Sequence, residues 1–399
     1  MIDLANKTNK KKIRIISYVI TIIISLLFIV IGNKIATENL PKFGNEQESK
    51  PVKAKVLEII EKHIETYGSD SDLMETTIIS FKAKVSSGSS KGETVVVEQT
   101  INSNFMAGVK EVQKGDSVLV SFSSALKGEP SWVFWDYLRT DALIILGVLF
   151  CVFLLIFGRM KGFNTILSLV ITCAAVFVVL IPSILSGHNI YISTFIVCTF
   201  IIASTLSIVY GLDKKSFVAL IGCLCGVLIS AVLVIIMGSV LSLTGVVDEN
   251  SIFLQNINTN KPLDLNAIIF SGILIGALGA VMDIAISISS ALLEVHNQME
   301  KPSFSLLVSS GFSIGRDIMG TMSNTLILAY VGSSLSVVLL LAAYDNSILG
   351  LMNREMIIVE ILQALIGSMG LLFTIPLTTL AGSFLYVNKF NIKAFLEIE

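Results

Sequence analysis

Apolar runs long enough to cross a bilayer dominate this chain, and they leave few folds open to it. Runs of spanning length occur at residues 15–32, 142–158, 163–185, 190–212, 216–243, 267–293, 318–343 and 356–387. A lipid-facing backbone must satisfy its polar groups within its own segment, so runs of this length read as helices. The expected fold class is therefore an all-α polytopic membrane bundle of about eight transmembrane helices. With 53% hydrophobic and only 15% charged residues, and a mean hydropathy of +0.81, a water-soluble globular domain is excluded.

Loop charge orients these spans. Lys7, Lys10, Lys11, Lys12 and Arg14 precede the first run, which predicts a cytoplasmic basic N-terminus over 1–14 and a signal anchor over 15–36. A cleaved signal peptide fits less well, because the flank GNKIATEN offers no small-residue cleavage site. Arg159 with Lys161, Lys214 with Lys215, Lys301, and Lys389 with Lys393 fall on the same side under an eight-span count. The expected localisation is the cell membrane, multi-pass, with both termini cytoplasmic. A seven-helix domain over 139–390 and a cytoplasmic tail over 391–399 complete this organisation.

Residues 37–138 make the one large water-facing segment, extracytoplasmic under this topology. PVKAKVLEII, TTIISFKAKV, ETVVVEQ and KGDSVLVSF alternate apolar and polar residues as half-buried strands do. Ser86–Gly92 reads as a hairpin loop, and Lys114-Gly115-Asp116 as a turn into a strand over 117–122. About five strands in this length suggest a small β-rich barrel of OB type. It is either a structural cap or a module that recruits a protein partner.

Inside the apolar run 267–295, AIIFSGILIGALGAVMDIAISISSALLEV, stands Asp283. A carboxylate at the centre of a spanning helix costs roughly 2.5–3.5 kcal/mol, against about 0.3–0.6 kcal/mol returned per Leu or Ile. The helix can insert, but Asp283 must face other helices or water. At 100° per residue, Gly272, Gly276, Gly279, Asp283, Ser287, Ser290 and Glu294 fall within about 80° of one another. The Gly272–Gly276 spacing suits close approach of a second backbone. The stripe is either a packing face holding one buried acid or a site that handles a solute or proton.

A second polar set follows. From Phe304 to Ala343 the chain is apolar for a length of about 60 Å as one helix, twice a bilayer, so it must break. SSGFSIGRD is the expected place, with 303–314 interfacial or re-entrant and Asp317 in the first turn of a new span, where the helix dipole favours an anion. Asp317, Gly320, Thr321 and Asn324 then share one face. Arg316 is either a snorkelling anchor or, with Asp317 and Glu294, part of a cytoplasmic gate. In the last span Glu360, Gly367, Thr374 and Thr378 align, and Pro376 frees the Leu372 carbonyl and predicts a helix kink.

These residues suggest a secondary transporter or channel for a small solute or ion. Asp283 would accept a cation or proton, and Asn324, Thr321, Ser287 and Glu360 would contribute to the binding site. A membrane scaffold, with polar residues serving only helix packing, is the alternative. An intramembrane aspartyl enzyme built on Asp283 and Asp317 is a weaker third, since Asp317 follows IGR and not the GxG expected there. No enzymatic activity is expected. No Cys/His metal spacing, P-loop or dinucleotide motif occurs, so neither metal nor cofactor is expected. The implied partners are the lipid bilayer and an unknown solute or ion, with no nucleic acid. All five cysteines (Cys151, Cys173, Cys198, Cys223 and Cys225) lie in apolar runs, which leaves the outer segment no disulfide framework.

The blocks GALGAVMDIAISISSALLE (276–294), SIGRDIMGTMSNTLILAYVGSSL (313–335) and IPLTTLAGSFLY (375–386) resemble the YibE/F-like membrane proteins of bacteria. The order of early span, outer β-rich segment and polytopic region resembles them too. The resemblance implies an eight-span integral membrane protein and carries no particular chemistry with it.

Overall fold

A computed structural model describes residues 2–41, 50–67, 74–102, 109–123, 131–257, 262–344 and 347–388. Lys389, Lys393 and the expected tail over 391–399 lie outside the described residues, as do the side chains of Lys7, Lys10, Lys11, Lys12 and Arg14. The chain divides into two compact units, one of residues 42–153 and one of residues 1–41 with 154–399.

The first unit holds a closed five-stranded barrel in the order β1-β2-β3-β5-β4. Its strands are β1 (Val52–Tyr67), β2 (Met74–Val85), β3 (Thr94–Asn102), β4 (Ser117–Ser123) and β5 (Ser131–Tyr137). Neighbours are antiparallel except β3 and β5, which pair in parallel through Val97 and Trp132. The expected small barrel is present. Period-two alternation sends Ala54, Val56, Phe81, Ala83, Val97, Val118 and Val120 inward as its core. The turn at Gly115 needs φ +95°, which only glycine adopts without strain, and it feeds β4 as the sequence predicts. Buried Gln99 fastens the loop before that turn: its Nε2 donates to the Lys110 carbonyl (3.1 Å) and its Oε1 accepts from the Val112 N–H (2.9 Å). β1 outruns the barrel: β4 covers its edge only over Val52–Lys55, while β2 follows it to Tyr67.

The other unit is helical. Its helices are α1 (Ile2–Ala36), α2 (Thr140–Ala174, begun in the first unit), α3 (Ile181–Leu185), α4 (Ile190–Tyr210), α5 (Lys214–Val240), α6 (Glu249–Gln255), α7 (Leu265–Gln298), α8 (Phe304–Ser333), α9 (Leu335–Tyr344), α10 (Ile348–Met352) and α11 (Glu355–Val387). A π-helical turn, Ala175–Leu180, joins α2 to α3 just before Pro182. Among the described residues, six helices are long and apolar enough to cross a membrane, or seven if α8 and α9 together form one bent span. The runs 142–158 and 163–185 lie in one 46-residue stretch, Thr140–Leu185, broken at Arg159 (φ 47°, ψ −125°).

α11 sits at the centre, against α5, α7 and α8. Its face toward α5 meshes in steps of four residues. A methyl group on Gly222 would overlap the Thr378 hydroxyl, one on Gly226 the Thr374 hydroxyl, and one on Gly370 the Ser230 hydroxyl. The numbering runs in opposite senses, so α5 and α11 are antiparallel at close backbone approach. Toward α8, a Cβ on Gly311 would lie 2.5 Å from Thr379 Cγ2, and one on Gly315 would overlap the Ile375 side chain.

This packing corrects the expected break at SSGFSIGRD. α8 is continuous from its Ser303 cap through Ser333, and the chain bends by 58° between Ser333 and Leu335. Gly311 and Gly315 do not loosen the helix; they make room for α11. At the real break the Ser333 hydroxyl donates to the Tyr330 carbonyl (2.8 Å), and Ser334 Oγ lies 2.9 Å from the same oxygen. Asp317 consequently stands near the middle of a 30-residue helix and not in a first turn, so the helix-dipole argument for it fails. α11 also runs unbroken through Pro376, and the Thr374 hydroxyl donates to the Gly370 carbonyl (2.7 Å), not to that of Leu372.

Candidate functional site

α7 is the most enclosed of the long helices, with Ile273, Leu274, Val281, Ile284, Ile288 and Leu292 at 0–1% exposure. One lane along it stays open. Gly272, Gly276, Gly279, Asp283, Ser287 and Glu294 are at least partly exposed, and Ser290 is half-buried. This is the stripe the helical wheel drew, and every member is small or polar. The spacing Gly272–Gly276 brings no second backbone: nothing approaches within 4 Å of the Cβ positions of Gly272 or Gly279. Close helix approach occurs instead along α5, α8 and α11.

The surroundings of α7 are fixed by its neighbours. Thr194 and Ser271 share a hydrogen bond of 2.5 Å, and the rings of Tyr191 and Phe270 lie 4.8 Å apart, so α4 runs alongside in the same sense. Cys223 Sγ lies 3.9 Å from the Val281 carbonyl, and the Ser289 hydroxyl donates to the Lys215 carbonyl (2.7 Å), which docks α5 in the opposite sense. The Ser289 and Tyr386 hydroxyls are 2.8 Å apart, tying α11 to the same level. Asp283 therefore stands between two measured α5 contacts. It makes no hydrogen bond or ion pair among the described residues. Farther along the lane, Gly276 meets Tyr330 of α8 and Gln363 of α11; a Cβ there would lie 2.7 Å from the Tyr330 hydroxyl.

The remaining expected residues are placed as follows. On α8, Arg316, Asp317, Thr321 and Asn324 are open to the surroundings, whereas Leu307, Gly311 and Gly315 are buried. The Thr321 hydroxyl donates to the Ile318 carbonyl of its own helix (3.0 Å), and Arg316 Nε donates to the Phe312 carbonyl (3.4 Å). Glu294 Oε1 accepts from Gln298 (2.8 Å). No ion pair joins Arg316 to Asp317 or to Glu294, and no hydrogen bond joins Asp283 to Thr321 or Asn324, among the described residues. Glu360 accepts from the Ser334 hydroxyl at the α8–α9 break. Thr374 and Thr378, expected to line a polar face with Glu360, are fully buried against α5. The α7 lane and the α8 face are thus two open polar surfaces, and α11's face is a packed one. No three His, Cys, Asp or Glu side chains gather as a metal ion would require, among the described residues.

Sequence reasoning missed Glu355. Its Oε1 accepts from the N–H groups of Thr244 (2.7 Å) and Gly245 (2.6 Å), and its Oε2 from the Thr244 hydroxyl (2.8 Å). Gly245 adopts φ +84°, so the tight loop after α5 aims two N–H groups at one carboxylate. The pair Thr244-Gly245 was the available signal, and an acid in the first turn of a distant helix does not reveal that it answers it.

Neither a curated protein nor a solved structure matches this chain. The family model described as YibE/F-like protein matches residues 146–388, which takes in α4 to α11 and most of α2. The barrel lies before that match, so the family rests on the helical part alone. With more than half of its 399 residues matched, the chain is a membrane protein belonging to the YibE/F-like family.

Proposed function

We propose that this protein is a secondary transporter or channel for a small solute or ion, with Asp283 as its cation- or proton-accepting group. The carrying observation is the α7 lane. A helix otherwise enclosed by its neighbours leaves open only the stripe that holds its single mid-helix acid. An unpaired carboxylate there is tolerable beside water and not beside lipid. The open Arg316, Asp317, Thr321 and Asn324 in mid-α8 make the same demand. In this reading the helical break at Arg159 separates two spans, which gives eight in all, with cytoplasmic termini and an outer barrel. Ser287 lies one turn from Asp283 on the lane and would share a bound cation. Thr321 and Asn324 would line the opposite side of the path, Arg316, Asp317 and Glu294 would control entry, and Glu360 would tune the α8–α9 break. Pro376 would let α11 flex as the path opens.

The test uses cells lacking this protein, complemented at equal membrane levels with wild type, Asp283→Asn or empty vector. Metal ions and small metabolites are profiled together. A solute that follows wild type but not Asp283→Asn supports transport and names the cargo. A second reading, a scaffold whose barrel recruits a partner, draws on the β1 edge left uncovered by β4 beyond Lys55. It predicts equal profiles, and rescue by both forms.

A further inference from the structure

The chain reverses at Arg159, and the reversal is costly. Arg159 holds φ 47° with ψ −125°, a conformation that costs a residue with a side chain about 1–3 kcal/mol. Three residues on, Gly162 passes so close to the Leu154 carbonyl that a methyl group would overlap it. Beside the turn lies an open cleft of about 470 Å³ lined by Leu155, Arg159, Met160 and Phe163. Its surroundings are apolar and exposed, with Met160 at 74% exposure.

Charge decides what fits. From Ala142 to Leu212 the sequence contains no Asp or Glu, while Arg159 and Lys161 stand together at the turn. Neither makes an ion pair among the described residues. Next to the cleft, Asn164 Oδ1 accepts from the Tyr18 hydroxyl of α1 (3.0 Å). No acid occurs in α1 from Leu4 to Ala36 in sequence either.

We propose that the Arg159 turn is a binding site for an anionic phospholipid. The Arg159 guanidinium takes the phosphate as a bidentate partner, Lys161 neutralises the remaining headgroup charge, and an acyl chain lies in the cleft against Leu155, Met160 and Phe163. Such a ligand also rewards the strained backbone, because the positive φ holds the guanidinium at the mouth of the cleft. The site is independent of any transport reaction.

Native mass spectrometry of the full chain, purified in detergent and titrated with phosphatidylglycerol or phosphatidylcholine, tests it. Wild type is expected to bind phosphatidylglycerol at least about tenfold more tightly. Arg159→Asn, which tolerates a positive φ, and Lys161→Gln should each weaken that binding about fivefold, the equivalent of ~1 kcal/mol per basic residue near an anionic surface. Arg159→Lys, which keeps the charge and loses the bidentate fork, should fall between wild type and Arg159→Asn. Lys161→Gln leaves the positive φ at Arg159 untouched, so a folding defect at Arg159 cannot decide the outcome. Equal binding of the two lipids by wild type overturns the proposal. So does phosphatidylglycerol binding that is unchanged in Lys161→Gln.

Discussion

The open lane of α7 and the closed seam between α5 and α11 are written in the same residues. Both repeat Gly, Ser or Thr about every four positions: Gly272, Gly276, Gly279, Asp283 and Ser287 in one, and Gly222, Gly226 and Ser230 against Gly370, Thr374 and Thr378 in the other. One faces open space at Gly272 and Gly279 and meets the Tyr330 and Gln363 side chains at Gly276, whereas the other is filled to the limit of contact by an opposing helix. Small-residue spacing therefore says that a close neighbour is permitted, not that one arrives. What separates the two is the opposite surface, since α11 offers a second small-residue row in matching register and nothing described offers one to α7.

The seam should break most easily. Gly226→Val would drive a branched side chain into Thr374, with an overpacking cost of about 3 kcal/mol and loss of folded protein from the membrane. Gly272→Ala meets nothing within 4 Å and gains helix propensity, so it should be neutral or stabilising by up to about 1 kcal/mol. Thermal unfolding in detergent reads both, and equal losses would erase the contrast between seam and lane.

A second contrast sets two acids apart. Glu355 accepts three hydrogen bonds and Asp283 none among the described residues. Glu355→Ala, which orphans the Thr244 and Gly245 N–H groups, should cost about 1.5–3 kcal/mol in the same assay. Asp283→Asn should leave unfolding within about 1 kcal/mol of wild type, while the solute phenotype falls at least about tenfold. A stability loss at Asp283 matching that at Glu355 would mean that the lane is closed in the working molecule.

The barrel supplies the smallest effect. The Tyr137 N–H, and then Arg139, hold the Asp136 carboxyl below its usual range, and the Lys82 ammonium does the same for Glu58. Both carboxyls are more acidic folded than unfolded. Their stabilisation is thus present above the ordinary carboxylate range and lost as pH falls through the lowered folded values. Both are largely solvated, so the loss should be slight. Protection of the β5 amides, taken relative to their intrinsic exchange rates, should fall modestly below about pH 4, and Asp136→Asn should remove part of that dependence.

Much of this was legible beforehand. Alternation and turn chemistry marked the barrel, because a period of two and a glycine at a turn leave little choice. The lane was legible as a stripe, since a helix turns every residue by the same angle. That the 304–343 run breaks was legible from its length, but where it breaks was not. Gly311 and Gly315 read equally as a hinge or as a socket, and only Thr379 and Ile375, far along the chain, decide between them. Nor could the sequence distinguish a polar face that opens, as with Asn324, from one that packs, as with Thr378. That difference belongs to the neighbouring helix.

The four-residue mesh of α5 with α11 also restricts how this molecule can move. Sliding α11 by one residue along α5 would bring branched side chains onto the glycine positions, and a slip restores the fit only after a full step of about 6 Å. Small continuous shear at this seam is therefore blocked, as teeth block a rack. Any working cycle has to tilt α5, α8 and α11 together as one rigid block, or jump by a whole tooth.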